Sequence, residues 1–462
     1  MARLSEKYCE VCGCPAAQWR VQIGGDARTL CAGCTRRFLA RIAPETAACA
    51  ALISQPHSTP RHRKQNGQRC TRCGTELELL AHQGIAGCAD CYHHFPYSVE
   101  QWLQRCALPI RHVGEPLPDE PIQPECEPLS AQQDAFWIRA IRQPQTMISS
   151  RARYARNFRW APFPWRADSS ELQQVCQRVE KAARSSTWRF SILPIRLMKP
   201  SERQRWIDLR LSSPHLRNNP LHGALIVDEA RSISVLVNEE DHLRVQAVLP
   251  GSQVRESIAL ARAALDALAL QEELAFSDNY GWLTASLLNV GWGLRVSVMM
   301  HTPALERTGQ LQSVWQAAME LGGTVRGLYG EGTPVSALFQ VSNAHSLGVD
   351  EATIAAQVAG TAHFIAQAEQ QAQEQLLAYH AKQLREEAEQ VYHNLGKERT
   401  LRAADTLQLL SVVRLASLAG WGNLSAEVWK QMLMAVRWEA PDDDAEWRAI
   451  RMRTLVRHVR DG

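Results

Sequence analysis

Four CxxC pairs crowd the first quarter of this chain and limit what that quarter can fold into more sharply than any other feature. They are Cys9/Cys12, Cys31/Cys34, Cys70/Cys73 and Cys88/Cys91, with 18 residues between the first two pairs and 14 between the last two. Two thiolates at this spacing grip one metal ion from a single tight turn, and two such pairs complete a tetrahedral four-cysteine site. Twelve of the 13 cysteines lie within the first 126 residues; only Cys176 lies beyond. The start, MARLSEKYCEVCG, has no apolar stretch after its basic residue and does not read as a secretory leader, so the expected location is cytoplasmic. There, paired cysteines read as metal ligands rather than disulfides. We expect two small Zn2+ ribbons, in residues 1–48 and 69–105, each dependent on its metal for folding. Cys14 competes with Cys12 as a ligand, and Cys49, Cys106 and Cys126 have no partner at a useful spacing. Four thiolates leave no open coordination position, so these sites are structural or partner-binding rather than catalytic.

Two linkers divide the rest. Residues 49–68 are polar and basic toward their end (SQPHSTPRHRKQNGQ), and residues 106–130 are rich in proline and acids. From residue 131 the pattern becomes that of an α+β core. Apolar spacing predicts helices over 135–142, 171–185, 254–274 and 351–393, and strands over 224–227, 233–237 and 294–299. The sheet is placed in residues 131–373 and a helical domain in 374–462. A net charge of +3 gives no reason to expect nucleic acid, and no apolar run approaches the ~18 residues of a membrane span.

The stretch VNEEDHLRVQ (237–246) places three acids, a histidine and an arginine directly after an apolar run. If 233–246 is one strand, alternation turns Glu240, His242 and Arg244 to one side and Leu243 and Val245 to a core. Alone, an arginine beside an acid reads at least as well as a structural ion pair. Other segments change the weighing. SSRARYARN brings Arg151 and Arg153 onto one face if extended, NVGWGLRV carries Arg295 at a glycine-rich strand entry, and TVRGLYGEGTP carries Arg326 and Glu331 among glycines. Arginine forks suit phosphate oxygens. With no GxxxxGK[ST] loop and no protein-kinase HRD or DFG set, the residues point to phosphoryl transfer on a fold without a P-loop.

SSRARYARN, VNEEDHLRVQ, NVGWGLRVSVMMHTPAL, VRGLYGEG and FQVSN resemble the phosphagen kinase family, and within it the bacterial protein arginine kinases (McsB). The front quarter, with GIAGCADCYHHF, resembles McsA, the zinc-binding activator of such kinases. The resemblance implies a large antiparallel sheet flanked by helices, a homodimer through the helical part, ATP with Mg2+, and phosphorylation of arginine side chains in proteins. It further implies a stress-response role beside a Clp-type chaperone-protease. It assigns Ser149, Ser150, Arg151, Ala152 and Arg153, then Arg244, then Arg295, Val296, Ser297, Val298 and Met299, then Arg326, Gly327, Leu328, Tyr329 and Gly330 to the nucleotide. It assigns Glu240 and Glu331 to the acceptor guanidinium. Four departures stand out. Ser286 replaces a cysteine close to the reacting group, and Arg210 replaces a histidine that touches the nucleotide. Pro334 replaces an acid, and RAIRMR, with Arg448, Arg451 and Arg453, is an altered form of a phosphoarginine-binding motif. A kinase-like adaptor without transfer activity is the competing reading, resting on Ser286 and Arg210.

Overall fold

The computed structural model describes residues 69–114, 134–218, 221–327, 336–436 and 445–461, and the backbone of 17–23 and 26–31. The chain divides into two units, Met1–Ile110 and Arg111–Gly462.

In the first unit, β1 (Ala17–Ile23) and β2 (Asp26–Cys31) form an antiparallel hairpin. Cys9, Cys12 and Cys34 lie outside the described residues, and of Cys31 only the backbone is described. The second module is helical where a ribbon was expected: α1 (Leu77–Gln83), α2 (Asp90–His94) and α3 (Pro96–Arg105) follow one another, and its strand pairing is confined to an Arg69↔Glu76 bridge among the described residues. The reason is periodicity. Val99, Trp102 and Leu103 recur three and four apart and bury one stripe, as Leu80 and Tyr92 are buried with them. Gly84 closes α1 at φ +68, and a Cβ there would strike the Trp102 ring.

The second unit is built on an eight-stranded sheet in which every neighbouring pair is antiparallel. Its strands are β3 (Met147–Arg156), β4 (Phe190–Pro194), β5 (Ala224–Asp228), β6 (Ile233–Val237), β7 (Leu243–Pro250), β10 (Leu294–His301), β11 (Gly323–Arg326) and β12 (Leu338–Asn343), in the order β11-β12-β10-β3-β7-β6-β5-β4. A small hairpin, β8 (Phe276–Ser277) and β9 (Gly281–Trp282), stands apart. The expected single strand over 233–246 is a hairpin instead. Asn238 enters the left-handed region at φ +57, and residues 238–242 turn the chain so that Val237 pairs with Leu243.

Alternate residues of these strands serve different faces. On one face Ala152, Tyr154, Val235, Val245, Val296, Val298, Phe339 and Val341 join a single apolar core with Val254–Ala267, Leu311–Glu320 and, as far as Leu384, Glu351–Leu395. The 254–274 helix stops early, at Ala267, because Ala269 turns left-handed at φ +48. The long helix is N-capped by Asp350, whose carboxylate accepts from the Thr353 amide at 2.6 Å. It runs unbroken through the expected boundary at 373/374, and its far end packs Ala388 and Leu395 against Ala403–Leu418, Ala426–Ala435 and Ala445–Asp461. No helix among the described residues is long and apolar enough to cross a membrane.

Candidate active site

The other face of the sheet carries the arginines. In an antiparallel pair, residues directly opposite each other point the same way. Arg153 lies opposite Arg295 on β10 and opposite Gln246 on β7; Arg151 lies opposite Ser297, which lies opposite Ser342; Arg326 lies opposite Gln340. Register alone therefore sets Arg151, Arg153, Arg295, Arg326 and Arg244 on one face. Neutral acceptors are interleaved with them. Arg151 Nη2 donates to Gln340 Oε1 at 2.9 Å, Arg326 Nε donates to Ser342 Oγ at 3.1 Å, and Arg295 Nη2 donates to Asn289 Oδ1 at 3.0 Å. Arg151, Arg153, Arg210, Ser213, Arg244 and Gln246 line one cleft. Arg210 reaches it from beyond the helix Pro200–Asp208, with φ +65 and its carbonyl held by Gln246 Nε2 at 2.9 Å.

The acids hang from the β6–β7 turn at the edge of this face. Arg244 Nη2 lies 2.7 Å from Glu239 and 3.2 Å from Glu240. Glu239 is buried and also accepts from Ser213 Oγ at 2.8 Å and from the Glu240 amide at 2.9 Å. Burial pushes its carboxyl up, but Arg244 and these donors outweigh that and hold it below the usual value. The Glu240 side chain is 40% exposed against 2% for Glu239, so Glu240 is the acid an incoming group can reach.

The turn is clamped to its surroundings through Asp241 and His242. Asp241 Oδ1 accepts from Asn157 Nδ2 at 2.6 Å and from the Ala285 amide at 2.7 Å, which ties the Glu240 turn to the loop bearing Ser286. Burial, with Glu240 beside it, pushes the Asp241 carboxyl up to about 7. His242 was expected to look into the cleft with Glu240. It is buried instead, accepting from the Phe158 amide at 3.1 Å with Nε2 at 2.9 Å from the Pro162 carbonyl, and burial pulls it down to about 3. Ser286 is half-buried and caps the turn Leu287–Asn289.

In the first unit, Cys70, Cys73, Cys88 and Cys91 bring their Sγ atoms within 4.8 Å of one another. Cys70–Cys88, Cys73–Cys91 and Cys88–Cys91 are 3.7, 3.5 and 3.9 Å apart. A tetrahedron with Zn–S bonds of about 2.3 Å has edges of about 3.8 Å, so the set fits Zn2+; a disulfide of about 2.05 Å is excluded. Thr75 Oγ1 lies 3.0 Å from Cys73 Sγ, and a Cβ on Gly87 would strike both.

Residues 171–372 match the family described as ATP:guanido phosphotransferase, C-terminal catalytic domain, and residues 68–114 match the McsA central zinc-finger domain. The protein-arginine kinase of Halalkalibacterium halodurans is 38% identical over 273 residues, covering 58% of this chain and 77% of its own. That of Moorella thermoacetica is 37% identical over 296 residues, covering 63% and 85%. The chain belongs to the protein-arginine kinase family. The solved duplicated taurocyamine kinase from Schistosoma mansoni, with bound transition state analog components, shares the fold at a TM-score of 0.55 and 20% identity, over 73% of this chain and 48% of its own. As an ATP:guanido phosphotransferase, this member of the protein-arginine kinase family works with ATP and Mg2+, and its zinc-finger module holds Zn2+ on four cysteines.

Several residues assigned by segment do not face the arginine side. Ala152, Val296 and Val298 belong to the apolar core, and Ser150 Oγ donates to the Gly251 carbonyl at 2.7 Å. Ser149, Ser297 and Met299 lie on the arginine side by register, although Met299 packs with the C-terminal helices. Gly327 is half-buried after β11, while Leu328, Tyr329, Gly330, Glu331 and Pro334 lie outside the described residues. Arg448, Arg451 and Arg453 do not converge. Arg448 is buried against the Leu401 carbonyl at 2.9 Å, Arg451 donates to Gln431 at 2.8 Å, and Arg453 bonds back to Ala449. Sequence reasoning missed Asp241, Gln246, Gln340 and Ser342. The signal for the last two was present: in FQVSN, polar and apolar residues alternate with period two.

Proposed function

We propose that this chain transfers the γ-phosphoryl group of ATP to arginine side chains of proteins. The observation that carries the reading is the union of a cationic sheet face and a reachable acid: Glu240 stands at the rim of the face that holds Arg151, Arg153, Arg244 and Arg295, joined to it through Arg244. Mg2+ enters with the nucleotide and neutralises phosphate charge. The arginines, with Arg210 and Arg326, hold the phosphates and the charge that develops on the transferring group. Glu240 and Glu331 orient the substrate guanidinium in line with the γ-phosphorus. As its nitrogen forms the N–P bond, the bond from phosphorus to the bridging oxygen breaks, ADP leaves, and the nitrogen's proton passes to a carboxylate. A guanidinium has a pKa above about 12 and is a poor nucleophile until that proton goes. Ser286 sits beside this site on a loop held by Asp241.

The remaining parts of the reading concern organisation. The zinc modules of 1–48 and 69–105 act as a built-in activator, linked through 106–130 to a catalytic part in 131–373. The helices of 374–462 pair two copies. The marked proteins pass to a Clp-type chaperone-protease under stress, in the cytoplasm. Support for these comes from resemblance.

Mass spectrometry for phosphoarginine, after incubation of the full chain with ATP and a protein mixture, tests the activity. Acid-labile phosphate on arginine is expected. Intact ATP binding with no phosphoarginine would overturn transfer and favour the adaptor, the reading that Ser286 and Arg210 support.

A further inference from the structure

We infer that Arg111–Gly114 is a brace for the loop carrying Ser286, with His112 as its positioning residue. This rests on reading that loop as the guanidinium side of the site.

These four residues lead the second unit and follow directly on the zinc-binding one. The His112 amide donates to the Asn279 carbonyl at 2.7 Å, and Arg111 Nη1 donates to the Asn279 side chain. The His112 ring meets Trp292 edge-on at 4.9 Å between centroids and Phe276 at 6.1 Å. Its Nδ1 is buried with no hydrogen-bond partner among the described residues, and burial lowers its basicity. The ring therefore works by filling space rather than by a polar bond. The fit is close. Gly281 turns at φ +71, where a Cβ would lie 2.9 Å from His112 Cγ and 2.5 Å from the Gly291 carbonyl oxygen. Gly114 closes the segment against Asp350, the cap of the long helix, where a Cβ would lie 2.3 Å from Asp350 Cβ.

The His112 ring stands at the two ends of one loop, Gly281 and Trp292, whose middle reaches the proposed site. The Trp282 amide bonds the Gly291 carbonyl at 2.7 Å and closes the loop. Within it lie Ala285, bonded to Asp241; Ser286; and Asn289, bonded to Arg295. Trp292, against the His112 ring, stands three residues before Arg295. Loosening the brace should therefore blur the position of Ser286 and Asn289 without removing a charge from the site.

The test uses the full chain and two readouts. Hydrogen exchange at the amides of 281–292 reports the brace itself, independently of any kinase activity. In His112→Ala, exchange there is expected to rise by about tenfold or more, and KM for a protein substrate by about threefold to tenfold, with a smaller rise in KM for ATP through Asn289 and Arg295. His112→Phe restores both, since shape is what matters. Arg111→Ala, on an exposed side chain, gives the same direction with a smaller effect and covers the case in which His112→Ala folds poorly. Unchanged exchange in His112→Ala and Arg111→Ala overturns the brace. Raised exchange with unchanged KM for protein overturns the placement of this loop on the guanidinium side.

Discussion

Arg151 and Ala152 are neighbours in one strand, yet they answer to different demands. Ala152 points into a core shared with Val296, Val298, Phe339 and three helices, where every methylene removed leaves a void. Arg151 points to a face that also carries Arg153 on its own strand, Arg295 on the neighbouring β10 and Arg326 further along the sheet on β11. Like charges this close repel, and Gln340, Ser342 and Asn289 are interleaved with them as neutral acceptors. One face stabilises the sheet. Crowding cations on the other should cost stability, as expected of the phosphate-binding face proposed above. Volume should govern the first face and charge the second.

The sharpest attempt to break that division is Glu240→Ala. It removes the reachable acid from a turn held by other residues, so transfer should fall by about 10³-fold while the melting temperature stays within about 2 °C. Normal activity would remove Glu240 from the mechanism; a large drop in melting temperature would make it a structural acid. Next in size is Phe339→Ala on the opposite face, expected to cost about 3–5 kcal/mol in denaturant unfolding, with the folded fraction still binding ATP. Arg244→Ala blurs the division deliberately. It strips the cation from buried Glu239, so it should cost about 3–5 kcal/mol as well as activity. If Arg244→Ala is as stable as the parent, the Glu239 pair is weaker than its burial implies.

The two faces were not equally legible in the sequence. Arg151, Arg153, Arg244 and Arg295 announced themselves because charge inside strand-like apolar runs needs a reason, and the register has put them on one face. The partner acceptors on β12 were as visible in FQVSN, but neutral side chains raise no alarm. The misreading of 233–246 as one strand has a specific cause. Five polar residues in a row, Asn238–His242, break the period of two, and only Asn238 among them marks the turn by tolerating φ +57. His242 was then misplaced with the turn. The helices of the second zinc module were hidden because cysteine spacing fixes ligands and says nothing about the backbone between them. The boundary placed at 373/374 falls inside one continuous helix, which packs on the sheet core as far as Leu384 and on the C-terminal helices at Ala388 and Leu395.

A subtler test titrates the junction between the faces. The Asp241 carboxyl, ordinarily near 3.8, is raised to about 7. Between those values the folded state keeps a proton that the unfolded state has lost, so stability from this group falls as pH rises through the window and stays lost above it. His242 acts in the opposite sense. Its folded value of about 3 lies below its ordinary 6.5, so its contribution is present above pH 6.5 and lost as pH falls. Asp241→Asn keeps an oxygen for Asn157 and Ala285 and cannot ionise. It should therefore melt higher than the parent at pH 8 and nearly level with it at pH 5, followed by calorimetry. An equal shift at both pH values would mean that Asp241 does not titrate in this window.

The smallest effect expected is at Ser286, and it asks whether charge governs the acid rim as it governs the arginine face. Ser286 is half-buried on the loop tied to Asp241, and its hydroxyl accepts from the Leu288 amide at 3.4 Å, a weak bond. A thiol in its place loses little there and can ionise near a bound guanidinium, adding one negative charge on the acceptor side. Ser286→Cys should raise kcat for arginine transfer by less than about tenfold, with the gain growing toward pH 8, and leave ATP affinity unchanged. A gain that is flat with pH would point to packing rather than charge. A loss would mean that this member of the family has shaped its pocket around the serine, with the glutamates carrying the negative charge at that rim.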